Sequence, residues 1–259
     1  MLLTIDVGNT NITMGIFDGD TLVGNFRLTT KTPRTSDEYG ICLSTLLDKY
    51  HISSEQIEDV IISSVVPKVM YSLNSCIIKY LDKIPTIIGP GVKTGIQVNS
   101  DNPREVGADR IVNVAAAYHT YHQACLIIDF GTATTFDYVS EKGVFEYTVI
   151  SPGIEISAQA LWNQTAKLPE IEIAKPEHIL AKNTINGMQS GIVYGYIGQV
   201  EYIVKQILKE LGNIKVKVIA TGGLGKIIYN ETDLINVYDP DLAFKGMKII
   251  YERNKKISE

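Results

Sequence analysis

Thr4-Ile5-Asp6-Val7-Gly8-Asn9-Thr10-Asn11 stands near the start of this 259-residue chain, and Ile127-Ile128-Asp129-Phe130-Gly131-Thr132-Ala133-Thr134 repeats its layout near the middle. Each stretch runs from strand-forming residues into a carboxylate, then one residue, a glycine, and small hydroxyl or amide side chains. Gly8 and Gly131 permit positive φ and close backbone approach, while Asn9, Thr10, Thr132 and Thr134 with their main-chain N–H groups suit anionic oxygens. Asp6 and Asp129 are carboxylates placed to hold a metal ion or water. This is phosphate-loop composition without a Walker lysine. One such stretch alone would read as a hairpin turn. Two at matched positions indicate an internal duplication, in which facing loops of like chemistry can clamp one polyphosphate from two sides.

Working outward, residues 2–5, 12–17 and 22–28 read as strands, with Asp18-Gly19-Asp20 as the turn between the second and third. Apolar residues at Ile41, Leu43, Leu46 and Leu47 give residues 39–49 a helical period. Residues 60–66 form a buried-strand run ended by Pro67, 70–81 a helix, 86–88 a strand, Gly89-Pro90-Gly91 a turn, and 108–121 a helix. In the second copy Ser140-Glu141-Lys142-Gly143 turns the chain. A polar middle (151–183), an amphipathic helix (187–211), a strand (216–220) and Thr221-Gly222-Gly223-Leu224-Gly225 follow. Each half alone would leave a sheet face uncovered unless it packs as layers. The expected architecture is therefore α/β, with two lobes over residues 1–118 and 119–259, the C-terminal helix able to pack back on the first, and a ligand cleft between them.

Composition narrows the function classes. At 45% hydrophobic and 20% charged, with 21 Gly and 9 Pro, the chain is neither disordered, collagen-like nor coiled coil. A net charge of -5, with no basic run longer than Lys255-Lys256, argues against a broad nucleic-acid footprint. Cys42, Cys76 and Cys125 are odd in number and widely spaced, which fits buried thiols rather than a disulfide framework or a zinc site. The N-terminus has no basic n-region and nowhere are there 18 uninterrupted apolar residues, so no membrane association and a cytoplasmic location are expected. His51, His119, His122 and His178 lack metal-ligand spacing and read as surface residues. Trp162, Tyr194, Tyr196 and Tyr202 read as core or dimer packing. The glycines after residue 220 lack the G-x-G-x-x-G order of a dinucleotide site and fit a flat surface against adenine and ribose.

The stretch Asn102-Pro103-Arg104-Glu105-Val106-Gly107-Ala108-Asp109-Arg110-Ile111-Val112-Asn113 places Asp109 and Arg110 in the first turn of a helix. An acid is favourable there, so Asp109 by position alone is either a helix-start charge or a functional group. Arg110 is harder to explain structurally. A cation in the first turn costs about 0.3 to 1 kcal/mol and makes sense facing an anion gathered by the same helix N-terminus.

Asp6-Val7-Gly8-Asn9-Thr10, Asp101-Asn102-Pro103, Gly107-Ala108-Asp109-Arg110, Asp129-Phe130-Gly131-Thr132-Ala133-Thr134, Ser151-Pro152-Gly153 and Thr221-Gly222-Gly223 together resemble the type III pantothenate kinase family, in family order from residue 6 to residue 223. The resemblance implies the duplicated ribonuclease-H-like fold of the acetate and sugar kinase, Hsp70 and actin superfamily. It also implies ATP-dependent phosphorylation of pantothenate to 4'-phosphopantothenate, the first step of coenzyme A synthesis, by a homodimer needing Mg2+ and a monovalent cation, K+ or NH4+. Carried over by position, Asp109 is the proton acceptor, and Gly107, Ala108, Asp109, Arg110 and Thr184 hold pantothenate. Asp6, Val7, Gly8, Asn9, Thr10, Asn11, Ile12, Thr13 and Thr132 contact ATP. Asp129 ligates the monovalent cation, and Asp6 serves Mg2+ directly or through water. The family often has an aromatic residue just before the acidic residue and Asn-Pro; here Ser100 stands there, and a ring contact is not carried over. Two rival readings are another small-molecule kinase or phosphohydrolase of the superfamily, opposed by residues 107–110, and a non-catalytic transcription accessory factor, opposed by the presence of Asp6, Asp109 and Asp129 together.

Overall fold

The computed structural model describes residues 1–258, with side chains through Lys255. It divides into two compact units, Met1–His119 with the segment from Asp241 onward, and Thr120–Pro240. The first carries β1 (Leu2–Val7), β2 (Asn11–Asp18), β3 (Thr21–Thr29), α1 (Ser36–Lys49), β4 (Asp59–Ser64), α2 (Pro67–Leu81), β5 (Thr86–Ile87) and β6 (Gln97–Val98). Helix α3 (Ala108–Tyr121) begins in it. The sheet order is β3-β2-β1-β4-β5, with β1 antiparallel to β2 and parallel to β4.

Strand alternation gives β1 two buried faces. Leu3, Ile5 and Val7 pack with Tyr39, Leu43 and Leu47 of α1 and Leu73, Cys76 and Ile77 of α2. Leu2 and Ile61 share the other core with Val112 and Ala115 of α3 and with Phe244, Met247 and Ile250, which belong to the C-terminal helix. Helix α1 starts at Ser36, earlier than apolar periodicity indicates, because Thr35 and Glu38 form a reciprocal capping box. Pro67, expected to end a strand, also begins α2, where its missing N–H costs nothing.

The second unit repeats the plan. It holds β7 (Cys125–Phe130), β8 (Ala133–Val139), β9 (Val144–Pro152), α4 (Ile154–Asn163), α5 (Thr184–Leu211), β10 (Lys217–Thr221), α6 (Gly225–Tyr229) and β11 (Val237–Tyr238). Here β7 takes the place of β1, antiparallel to β8 and parallel to β10, with β11 beyond β10 and β9 beyond β8. The two central strands even share one burial pattern along their six residues. The duplication is thus carried by topology as well as by motif, and both units are the α/β lobes of the ribonuclease-H-like, actin-like ATPase fold. Leu126, Ile128 and Phe130 form the second core with Tyr196, Val200 and Val204 of α5.

Two helices depart from the expected outline. The stretch read as a polar middle contains α4, a ten-residue helix that buries Ile154 and Ala158. Helix α5 starts at Thr184, where Asn183 accepts from Asn186 N–H at 2.8 Å. His119 is half-buried rather than a surface residue, because the loop at Gly95 covers the end of α3 and brings His119 and Arg253 together beneath it.

The C-terminal helix α7 (Leu242–Ser258) lies against β1 and β4. Gly246 makes this possible, since a Cβ there would stand 2.2 Å from Val112 O. A helix-interior Gly→Ala change ordinarily stabilises by about 1 kcal/mol. At Gly246 the sign should invert. Gly246→Ala is expected to destabilise by about 1 to 3 kcal/mol as α7 is pushed off α3, read as a lowered melting temperature; an unchanged or raised value would contradict this packing.

Candidate active site

In the first unit the chemistry gathers where the strands end. Asp6 is half-buried on β1, in register with Thr13 of β2 and the buried Ser63 of β4. The turn that follows is closed by Gly8 N–H donating to Asn11 O at 3.0 Å. Thr30 then fastens it, donating its hydroxyl to Gly8 O at 2.8 Å and its N–H to Thr10 O at 2.9 Å. Val7 and Ile12 are fully buried in the core, so only their backbone faces the turn, whereas Asn9 is exposed and Thr10, Asn11 and Thr13 are half-buried.

The start of α3 adjoins the end of β4. Val65 N–H donates to Val7 O at 3.1 Å, and the Val65 side chain lies 3.2 Å from where a Cβ on Gly107 would stand. That same Cβ would come within 2.4 Å of Asp109 Oδ1, so a larger residue at 107 would force the carboxylate to turn from its present position. Asp109 Oδ1 accepts from Arg110 N–H at 2.8 Å, and Gly107 O accepts from Ile111 N–H at 3.2 Å as the helix opens. A carboxylate held in this way has its charge favoured by the amide groups of the first turn. Asp109 and Arg110 are both half-buried, partly accessible and partly shielded from water.

In the second unit Asp129 is half-buried near the end of β7, in register with Thr135 of β8 and Thr221 of β10. Gly131 N–H donates to Ala133 O at 3.1 Å, closing a turn one residue shorter than the one after Asp6, where Gly8 N–H reaches Asn11 O. Thr132 is exposed, and its carbonyl accepts from Gly153 N–H at 3.1 Å. Thr184 is the first residue of α5 and is exposed. At the end of β10, Gly222 adopts φ +93°, and its carbonyl accepts from the Tyr238 hydroxyl at 2.9 Å.

Asp6 to Thr13 and Gly107 to Arg110 are therefore neighbours at one sheet edge, linked through β4 and Val65. Thr30 and Val65 shape these turns without appearing among the expected residues. Thr30 acts through its hydroxyl and N–H from beyond the end of β3, and Val65 through its N–H and its bulk, so no local motif marks them. Among the described residues no three or more His, Cys, Asp or Glu gather in a metal-binding group. An ion held here would take most ligands from water, main-chain carbonyls or phosphate oxygens.

The family model for type III pantothenate kinase matches residues 2–206. A relative from Agathobacter rectalis, named type III pantothenate kinase, is 54% identical over 256 residues, covering 99% of this chain and 98% of that protein. One of the same name from Bifidobacterium longum is 51% identical over 256 residues, covering 99% and 100%. Among solved structures, MreB 5 of Spiroplasma citri bound to AMPPNP gives a TM-score of 0.55 at 12% identity, covering 98% of this chain and 97% of that one, a likeness of fold alone.

Proposed function

The chain belongs to the type III pantothenate kinase family and phosphorylates pantothenate with ATP, the first step of coenzyme A synthesis; from that premise we propose that Asp109 is the proton acceptor and that the turn after Asp6 takes the ATP phosphates. The observation that carries this reading is the seat of Asp109. Its carboxylate sits over Gly107 at a helix start that adjoins β4, the strand paired with β1, so acceptor and phosphate turn share one sheet edge. Ligands of open α/β sheets characteristically bind outside the carboxyl ends of the strands.

Phosphoryl transfer has a loose transition state, so positioning and charge neutralisation matter more than base strength. Asp109 orients the pantothenate hydroxyl and takes its proton late, while Gly107 and Ala108 contact the substrate beside it. Arg110, a planar guanidinium, binds the pantothenate carboxylate, which answers the first-turn cation that helix electrostatics alone disfavours. Thr184 contacts pantothenate, and Asn9, Thr10, Asn11, Thr13 and Thr132 contact ATP with the backbone of Val7, Gly8 and Ile12.

Asp6 suits Mg2+, which keeps several waters and needs one or two carboxylates beside substrate phosphates. Asp129 with main-chain carbonyls of its turn suits a larger, weakly hydrated monovalent cation, K+ or NH4+. Bound there, such ions neutralise phosphate charge. Cys76 and Cys125, thiols pushed by burial up to about 11 and about 12, suit a reducing cytoplasm.

Homodimer formation is supported by α5. Gly187, Gly191, Gly195 and Gly198 fall with Tyr202 within an arc of about 80° at 100° per residue. Nothing lies within 4 Å of a Cβ at Gly191, Gly195 or Gly198, and Tyr202 is 66% exposed. Each helix-interior glycine costs up to about 1 kcal/mol. Close approach of a second helix backbone offsets that cost.

In a coupled assay of ATP consumption with pantothenate, Asp109→Asn is expected to lower turnover by about 10² to 10⁴-fold with the melting temperature preserved. A variant within threefold of the parent would remove Asp109 from this role. Activity should also rise saturably with K+ or NH4+ and much less with Na+, and Asp129→Ala should lose that dependence. Full activity in K+- and NH4+-free sodium buffer would count against the Asp129 site alone. Sedimentation at micromolar concentration should give a dimer, which Gly195→Leu should split; a parent that sediments as a monomer refutes the interface.

A further inference from the structure

Tyr196 lies about three turns into α5, where its ring is buried near Phe130 with centroids 6.3 Å apart. A phenylalanine would fill that volume without burying a hydroxyl, which is costly unless hydrogen-bonded. The hydroxyl is hydrogen-bonded twice. It donates to Pro152 O at 3.2 Å and is bonded to Oγ1 of the fully buried Thr134. A carbonyl only accepts and a phenol has one proton, so with that proton on Pro152 it is Thr134 that donates to Tyr196. The result is a directed chain from Thr134 through Tyr196 to Pro152.

Both ends of that chain bear on one turn. Thr134 closes the Gly131 to Thr134 turn, in register with Phe130 of β7 and Ser151 of β9. Pro152 precedes Gly153, whose N–H holds Thr132 O at 3.1 Å. Gly153 leaves no slack, because a Cβ there would stand 2.3 Å from Thr132 O and 2.5 Å from Gly131 O. The turn is thus gripped through the backbone at Thr132 and through the hydroxyl chain at Thr134. Burial holds the Tyr196 phenol above its usual range, so it remains a donor at neutral pH.

We propose that Tyr196 is a positioning residue for the nucleotide phosphates, setting the Gly131 to Thr134 turn through its hydroxyl while its ring serves only the core. This rests on the reading that Asp129 and Thr132 face ATP and its cation. Tyr196→Phe keeps the ring and removes the chain. It is expected to raise the ATP KM and the calorimetric Kd for ATP by about three- to tenfold, the range of one buried neutral hydrogen bond. The pantothenate KM should stay within twofold. Thr134→Val should match it, Thr134→Ser should restore parent values, and the double variant Tyr196→Phe with Thr134→Val should be no worse than either single change.

Val200→Ala, in the same core and farther along α5, is the structural control. It should lower the melting temperature without moving the ATP constants. If Tyr196→Phe leaves ATP binding within twofold of the parent, or if Val200→Ala moves it equally at a similar loss of melting temperature, the proposal is overturned. Should Tyr196→Phe not fold, the contrast of Thr134→Val with Thr134→Ser decides alone, equal ATP constants overturning it. Asp129→Ala separates the two levels: if it leaves ATP binding and cation dependence untouched, the reading of the turn fails, whatever Tyr196 does.

Discussion

A strand buried on both faces carries a carboxylate cheaply where it leaves the sheet, and elsewhere only where hydrogen bonds replace water, as those from Thr135 and Thr148 do for the buried Asp137 of β8. β1 and β7 are such strands, and Asp6 and Asp129 stand one residue before their ends. The same burial that makes Leu3, Ile5, Leu126 and Ile128 obligatory core residues concentrates polar chemistry at the carboxyl edge. Parallel partners β4 and β10 then bring their own ends to that edge, which is how Ser63, Val65 and Thr221 come to border turns far from them in sequence. The site is a consequence of how the core is closed.

Close backbone approach is the second recurring constraint, and here it acts through the absence of side chains. Gly107 leaves space for the Asp109 carboxylate, Gly153 lets a strand end meet the Thr132 turn, and Gly246 lets α7 settle on α3. None of the three has a positive φ, so their need is spatial rather than conformational. Packed backbone moves little, and groups mounted on it inherit that stiffness. In the reading proposed above, stiffness at Asp109 and at the Thr132 turn would bear directly on a reaction governed by positioning.

Hydroxyls do the fastening. Thr30 ties the first turn to the end of β3 through two bonds, and Tyr196 ties the second through Thr134 and Pro152. The two copies therefore share motif and topology but differ in what secures their turns. A duplicated fold keeps the strand order that its core requires, while the groups that hold each loop come from elements outside the repeated motif.

From the chain alone one could read the duplication, the succession of strands and helices, and the placement of Asp109 and Arg110 at a helix start. Each of these is local: strand alternation, helical period and helix-terminus electrostatics act over a few neighbouring residues and leave a mark there. The start of α1 at Ser36, the short α4 and the half-buried His119 were less legible, because a cap, two buried residues in a ten-residue helix and a covering loop add little to any periodic pattern. Tertiary structure alone decided that Val65 comes up against Gly107, that Thr30 and Tyr196 hold the turns, and that Gly246 of α7 meets Val112 of α3. Those contacts join residues tens to hundreds of positions apart. Whether a methyl group or a hydroxyl fits there depends on distances of a few tenths of an ångström between packed backbones, which no short stretch of sequence encodes.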